Sequence, residues 1–219
     1  MDHNFWHQRW QQDKIGFHLA EANPLLVKYG SGLGLSPGDE VFVPLCGKSL
    51  DMIWLREQGF SVVGIEVSDL ALKSFFESNT IPCRNLQAGE FNIYQANGYM
   101  LYSGDFFALN AAVIQSCKLV YDRASLVAFP EEMRTQYVHH LLSIIPAEAS
   151  IFLITLEYPQ AQMQGPPFSV PKSEIQSLFG NRYNLEILSE KEVLADHDHF
   201  RQEGLTSLQE TAILLTPIS

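Results

Sequence analysis

Alternating apolar and polar stretches divide the chain into short buried strands and amphipathic helices. Apolar runs predict strands at residues 40–44, 61–67, 99–103, 118–121 and 150–156, with later candidates at 185–188 and 209–215. Apolar residues at helical spacing predict helices at residues 49–58, 68–78, 130–145 and 172–179. This succession of strands and helices predicts an open, mainly parallel α/β sheet, in which ligands bind beyond the carboxyl ends of the strands.

The segment before the first predicted strand is rich in aromatic residues and then in glycine. Residues 1–29 carry aromatic side chains among polar ones, and Trp6 and Trp10 lie four positions apart, on one face of a helix. Residues 30–39 are rich in turn-forming glycine. A chain of 219 residues fits one domain. We therefore expect a single domain with an N-terminal cap segment, residues 1–29, and an α/β core, residues 40–219.

Two glycine-containing stretches suggest a phosphate-binding loop, and neither fits one. Gly47-Lys48-Ser49 matches the end of a Walker-type loop, but Phe42 stands where that loop requires glycine, and Pro44 lacks a backbone N–H. The stretch at residues 30–34 has alternating glycines, but it precedes a strand instead of following one. The sequence thus argues against a nucleoside triphosphate site.

Glu66 ends the second predicted strand and lies 19 positions after Gly47. An acid about 20 residues beyond the first strand–helix turn commonly accepts hydrogen bonds from ribose hydroxyls. The other reading is a solvated acid at a strand end. Because an unpaired acid in an apolar strand is costly to bury, we favour a binding role. This spacing alone leaves NAD and S-adenosylmethionine equally open.

Charge and cysteine content narrow the possible partners and compartment. A formal net charge of -11 argues against binding to nucleic acid or to an anionic membrane. No apolar run is long enough for a membrane span, and the first residues lack the pattern of a signal peptide. The 3 cysteines are scattered, which favours a reducing, cytoplasmic location. His197 and His199 lie in an acidic loop of a kind that is usually solvated, and no distant third ligand is evident, so we expect no metal site.

Four separated blocks of the chain resemble the thiopurine S-methyltransferases, in the order found in that family. They are residues 43–49 (VPLCGKS), 62–66 (VVGIE), 121–128 (YDRASLVA) and 165–171 (GPPFSVP). The resemblance spans nearly the whole chain and is closest to the short, bacterial form. Pro44 and Leu45 depart from the glycine-rich loop of many class I methyltransferases.

The resemblance implies the fold and activity of a class I S-adenosylmethionine-dependent methyltransferase. The expected fold is a Rossmann-like sheet of about seven strands, mostly parallel with an antiparallel last strand, with helices on both faces and an N-terminal helical cap. The expected reaction is methyl transfer from S-adenosylmethionine to aromatic or heterocyclic thiols such as thiopurines. Selenium and tellurium compounds are further acceptors implied by bacterial relatives, and the family resemblance indicates a monomer.

The same resemblance assigns site residues. The positions implied to contact the cofactor are Trp10, Leu45, Gly47, Glu66, Asp105, Phe106 and Arg123. Phe17 and Arg123 are the positions implied to contact the acceptor. We expect Arg123 to favour the anionic form of the acceptor thiol, because an opposite charge lowers a pKa. Asp122 is a weaker candidate, as a general base.

Alternative functions remain open for this fold, and alternative structural roles remain open for Arg123 and Phe17. An NAD-dependent oxidoreductase matches the spacing of Glu66, although the three-glycine turn is missing. A non-catalytic binder of small molecules on the same fold is a third possibility. Arg123 could instead form a salt bridge with Asp122 or Asp105, and Phe17 could be an ordinary core residue.

Overall fold

The structure is a computed structural model that describes residues 3–218. The chain groups into two compact units, the first ending at Val120 and the second beginning at Tyr121. Both units combine helices and strands, as the alternating sequence pattern predicts.

Among the described residues, the first unit contains four α-helices and six strands, and the last strand continues into the second unit. Its helices are α1 (His3–Gln11), α2 (Pro24–Tyr29), α3 (Asp51–Glu57) and α4 (Asp69–Ser78). Its strands are β1 (Glu40–Val43), β2 (Ser61–Glu66), β3 (Arg84–Ala88), β4 (Phe91–Ala96), β5 (Tyr99–Ser103) and β6 (Cys117–Arg123). Their order in the sheet is β3, β4, β5, β2, β1, β6.

The centre of the first unit is parallel, which places several strand ends together. Strand β1 pairs in parallel with β2 and β6, and β2 pairs in parallel with β5. The carboxyl ends of β2 and β5 meet where Glu66 is paired with Ser103. A Cβ atom at Gly64 would lie 2.9 Å from the Cys46 sulfur, so glycine allows β2 to pass close to the turn after β1.

The hairpin of β3 and β4 is absent from the sequence prediction. Strand β3 is exposed along its whole length, so it has no apolar alternation to mark it. A turn at Gly89 joins β3 to β4, and a turn at Asn97-Gly98 joins β4 antiparallel to β5. Asn-Gly between two strand-like segments is a strong hairpin signal, and it would have revealed β4.

The second unit adds the remaining elements. Its helices are α5 (Glu131–Ile144), α6 (Lys172–Phe179) and α7 (Asp198–Gln202), and its further strands are β7 (Ser150–Glu157), β8 (Tyr183–Glu192) and β9 (Gln209–Pro217). In the sheet, β6 is followed by β7, β9 and β8 in that order. The ring of Tyr121 in β6 stacks on Phe152 of β7, with centroids 5.9 Å apart.

These elements confirm the predicted fold class and correct its strand count. The last strand, β9, is antiparallel to both β7 and β8, as expected. The sheet has nine strands instead of about seven, because β3 and β4 were not predicted. Helices α1 and α2 lie within the predicted cap segment. Within the described part of the chain, no helix is both long and apolar enough to cross a membrane.

Candidate functional site

The turn that follows β1 has an unusual backbone and is tied to β2. Leu45 has a φ of 46° and Gly47 a φ of 54°, both in the left-handed region. The backbone N–H of Cys46 donates to the carbonyl of Ile65 over 2.9 Å. A left-handed conformation is unfavourable for leucine, and such residues are concentrated at ligand sites. The turn therefore has a defined shape beside the end of β2.

Glu66 lies at the centre of this region and is 5% exposed. Its Oε2 accepts a hydrogen bond from the backbone N–H of Gly47 at 3.0 Å, and its Oε1 accepts one from Ser68 at 2.8 Å. Ser68 also caps α4 through its hydroxyl. Two predicted cofactor residues, Gly47 and Glu66, are thus in direct contact, and the carboxylate links the ends of β1 and β2.

Trp10 of α1 covers the same carboxylate. Its side chain is buried, and its indole N–H donates to Glu66. A Cβ atom at Gly47 would lie 3.0 Å from the Trp10 ring, so the absence of a side chain at Gly47 makes room for the indole. Phe17 contacts the other side of Trp10, edge to face, with ring centroids 5.5 Å apart. The structure therefore brings Trp10, Gly47 and Glu66 together, and their role as cofactor contacts stays a prediction.

Burial changes the acid–base behaviour of this carboxyl. Loss of solvent raises the pKa of Glu66 to about 7, even though the backbone N–H groups of Ser68, Gly47 and Val67 and the Trp10 indole lower it in part. Near neutral pH the carboxyl therefore exchanges readily between its charged and neutral forms. A ligand that donates hydrogen bonds to it will favour the charged form.

Asp105 and Phe106 follow β5, the strand beside β2. Asp105 accepts a hydrogen bond from the Phe107 backbone N–H at 3.0 Å, and His3 Nε2 lies 3.6 Å from its Oδ1. Phe106 is buried. Helix α1 thus contacts the last residue of β2 and the first loop after β5, at the edge where an α/β sheet binds ligands.

In the second unit, Asp122 is oriented into the protein interior and is 1% exposed. Its Oδ2 accepts from the Tyr137 hydroxyl at 2.6 Å, and its Oδ1 accepts from the Leu126 backbone N–H at 3.1 Å. A general base must reach the proton that it removes. The burial and existing partners of Asp122 do not favour the base role considered from the sequence.

Arg123 lies at the end of β6 and is followed by Ala124, whose φ of 67° is again left-handed. On β9, Glu210 is paired with Leu156 of β7 and with Lys191 of β8. Burial raises the pKa of the Glu210 carboxyl, and the positive charges of Arg123 and Lys191 lower it in part. Arg123 therefore has a nearby acid from a distant part of the sequence, which was not predicted.

His199 lies in α7 and His197 directly precedes that helix, and both imidazole rings contact Phe200. The ring of His199 lies 3.9 Å from that of Phe200, and His197 is 5.7 Å from the same ring. Among residues 3–218, no group of three or more His, Cys, Asp or Glu side chains could hold a metal ion.

The comparison with known families is decisive for this chain. The model of the thiopurine S-methyltransferase family matches residues 1–217. The chain belongs to the thiopurine S-methyltransferase family. Curated relatives with that name include one from Nitrosospira multiformis, 47% identical over 98% of both chains. Another, from Shewanella baltica, is 43% identical over 98% of this chain and 99% of its own.

Solved structures support the fold assignment for this thiopurine S-methyltransferase family member. An S-adenosylmethionine-dependent methyltransferase from Anabaena variabilis superimposes with a TM-score of 0.66 and 16% identity, covering 99% of this chain and 95% of its own. A methyltransferase from Thiobacillus denitrificans, in complex with S-adenosyl-L-homocysteine, gives a TM-score of 0.63 and 12% identity, covering 96% and 98%. The class I methyltransferase fold expected from the sequence is confirmed.

The sequence did not indicate three residues that interact with the candidate residues: Ser68 in the first unit, and Tyr137 and Glu210 in the second. Ser68 was predicted only as the start of the helix at residues 68–78, and its backbone N–H proves to be a partner of Glu66. Tyr137 and Glu210 lie far from Asp122 and Arg123 in the chain, so only the three-dimensional structure brings them close.

Proposed function

We propose that this protein is an S-adenosylmethionine-dependent S-methyltransferase whose acceptors are aromatic or heterocyclic thiols such as thiopurines. Selenium and tellurium compounds are proposed as additional acceptors. The proposal joins family membership over residues 1–217 to the site in the first unit. It is favoured over an NAD-dependent oxidoreductase because the turn after β1 lacks the glycines that a dinucleotide requires.

The observation that carries the proposal is the contact between the turn after β1 and the acid that ends β2. Glu66 accepts from the Gly47 N–H at 3.0 Å, so the turn and the carboxylate form one surface. A carboxylate can accept from both hydroxyls of a ribose. The buried ring of Phe106, which follows β5, suits an adenine base. These groups fit S-adenosylmethionine.

The protein's contribution would be binding and alignment. Bound S-adenosylmethionine supplies a methyl group already activated on a sulfonium sulfur, so strong acid–base catalysis is unnecessary. Glu66 would hold the ribose, and the backbone of Leu45 and Gly47 would line the turn. Trp10 and Phe17 would exclude water and present aromatic surface to the reacting groups. Correct alignment can supply much of the rate enhancement of such a reaction.

On the acceptor side, Arg123 would favour the thiolate. A positive charge nearby lowers the pKa of a thiol, so the acceptor releases its proton to solvent before it reacts. This arrangement needs no general base, in agreement with the buried position of Asp122. The thiolate is a stronger nucleophile than the neutral thiol.

Cofactor binding is expected to depend on pH through Glu66. The N–H donors of Ser68, Gly47, Val67 and Trp10 act on its carboxyl, which offers about four acceptor positions. We expect ribose hydroxyls to replace the Trp10 indole there and to stabilise the charged form. Since the unliganded pKa is about 7, binding at pH 6 should release protons, and affinity should fall as the pH drops below 7.

Calorimetric titration in two buffers of different ionisation enthalpy measures this proton release. The control is Glu66→Gln, which cannot titrate, so the difference between the two proteins isolates the carboxyl from other ionising groups. We expect a loss of affinity of up to about tenfold per pH unit for the native protein below pH 7. Equal proton release by the native protein and the variant would contradict the assignment.

The proposed function is tested by titrating the protein separately with S-adenosylmethionine and with NAD, and then by assaying methyl transfer. Saturable binding of S-adenosylmethionine alone, with methylation of an aromatic thiol, would support it. Binding of NAD alone would favour the oxidoreductase. Binding of S-adenosylmethionine without transfer to thiol, selenium or tellurium acceptors would favour a non-catalytic binder.

We infer that the protein works as a monomer in the cytoplasm and does not require nucleic acid or a membrane. Cys46, Cys83 and Cys117 are all free thiols, which suits a reducing compartment. The acidic net charge of -11 opposes binding to phosphate backbones. Light scattering of the purified protein would test the monomer, and cell fractionation would test the location.

A further inference from the structure

The turn that carries Arg123 rests on a buried polar cluster. The Asp122 carboxylate accepts from the Tyr137 hydroxyl at 2.6 Å and from the Leu126 backbone N–H at 3.1 Å. Ser125 donates to the same carboxylate and is 0% exposed. Asp122, near the end of β6, is thus hydrogen-bonded to Tyr137 of helix α5 and to Ser125 and Leu126, which follow the turn at Ala124.

Tyr137 is placed as a fixed donor in this cluster. It is 0% exposed on α5, and its ring stacks on Phe129 with centroids 4.8 Å apart. Burial and the charge of Asp122 raise the pKa of the Tyr137 hydroxyl well above its ordinary value, so it keeps its proton. A hydrogen bond from a buried donor to a carboxylate is among the stronger kinds.

The turn after Arg123 has an unfavourable backbone conformation that surrounding contacts must stabilise. Ala124, directly after Arg123, has a φ of 67°, which is unfavourable for a residue with a Cβ atom. Such a conformation persists only where surrounding contacts hold it. Asp122 before it and Leu126 after it are joined by a hydrogen bond, and Val127 accepts from the Phe168 N–H at 2.7 Å.

We propose that Asp122 and Tyr137 are positioning residues for Arg123, and that together they hold the left-handed turn that directs its guanidinium towards the acceptor. The proposal rests on the function proposed above. Asp122 acts here as an acceptor of hydrogen bonds, and no proton is transferred to it during the reaction. Tyr137 contacts neither ligand and acts through Asp122.

Tyr137→Phe tests the proposal because it removes only the hydroxyl and keeps the ring on Phe129. Without that donor the carboxylate is incompletely paired, and the turn can relax. A displacement of about 1 Å can lower a rate by up to about a hundredfold. We expect kcat/KM for an aromatic thiol to fall roughly tenfold or more, while the Kd for S-adenosylmethionine changes less than about threefold.

Tyr183→Phe is the matched control in the same unit. Tyr183 of β8 is also buried, and its hydroxyl donates to the carbonyl of Ala149, the residue before β7, at 3.2 Å. Neither residue belongs to the turn after Arg123. Both variants lose one buried hydrogen bond from a tyrosine, so both should lower the melting temperature. Only Tyr137→Phe should alter the acceptor kinetics.

Repeating the substitution in an Arg123→Ala background shows whether Tyr137 acts through Arg123. We expect no further loss of kcat/KM there. An equal loss in both backgrounds, or identical acceptor kinetics for Tyr137→Phe and Tyr183→Phe, would overturn the proposal. Asp122→Asn provides the same comparison if Tyr137→Phe does not fold. If the native protein transfers no methyl group to any acceptor, the proposed function fails instead.

Discussion

Replacing Glu66 with glutamine is expected to weaken binding of S-adenosylmethionine roughly a hundredfold. The substitution keeps the size of the side chain but removes the charge that accepts the ribose hydroxyls. It also turns an amide NH₂ towards the backbone N–H of Gly47 or Ser68, both of which now donate to the carboxylate. Calorimetry at pH 8, where the native carboxyl is charged, measures the effect.

Asp51→Asn is the matched control for this substitution. Asp51 is another buried acid of the first unit, 1% exposed, and it accepts a backbone hydrogen bond from Asn23 at 2.6 Å. It lies at the start of α3 and not at a strand end. This variant should lose stability and keep its affinity for the cofactor. Native-like affinity of Glu66→Gln would make Glu66 a structural acid only.

Replacing Arg123 with alanine is expected to lower kcat/KM for a thiol acceptor about a hundredfold, because the charge that favours the thiolate is lost. The effect should be greatest below the pKa of the free thiol, where the protein must promote ionisation. The acidic limb of the pH profile of kcat, which reports ionisation in the enzyme–acceptor complex, should therefore move to higher pH. Steady-state assays with one aromatic thiol across pH 6 to pH 9 measure both changes.

Arg123→Lys separates charge from shape in this prediction. Lysine keeps the positive charge but lacks the planar guanidinium, so it should restore the position of the acidic limb and only part of the rate. A pH profile unchanged by Arg123→Ala would show that Arg123 does not influence acceptor ionisation. The role proposed for Asp122 and Tyr137 would then also fail.

The sequence pattern located the strands and helices that have clear apolar faces. The predicted strand at residues 99–103 and helix at residues 172–179 match β5 and α6 along their full lengths. Strands β6 and β8 extend further than predicted, because their ends carry polar residues. The residues of β3 are exposed and have no buried apolar face, so apolar periodicity cannot locate them.

For the site, the sequence identified candidate residues, but it did not show which hydrogen bonds and contacts those residues make. Spacing and family resemblance singled out Glu66, Gly47 and Trp10, which the structure joins through hydrogen bonds and a close ring contact. The orientation of Asp122 could not be predicted, because adjacent residues of a strand face opposite sides and only tertiary packing shows which side is buried. Its partner Tyr137 lies 15 residues further along the chain.

The turn after β1 also has an entropic consequence. Pro44 restricts the backbone in the unfolded chain as well as in the folded one, and the left-handed Leu45 stores roughly 1–2 kcal/mol of unfavourable conformation that the folded protein sustains. Because Pro44 restricts the backbone and the Cys46 N–H is hydrogen-bonded to Ile65, we expect ligand binding to lose little conformational entropy at residues 44–47. Most of the loss of conformational entropy on binding would instead occur in α1. There the Trp10 indole must give up its hydrogen bond to Glu66 when the ribose hydroxyls replace it.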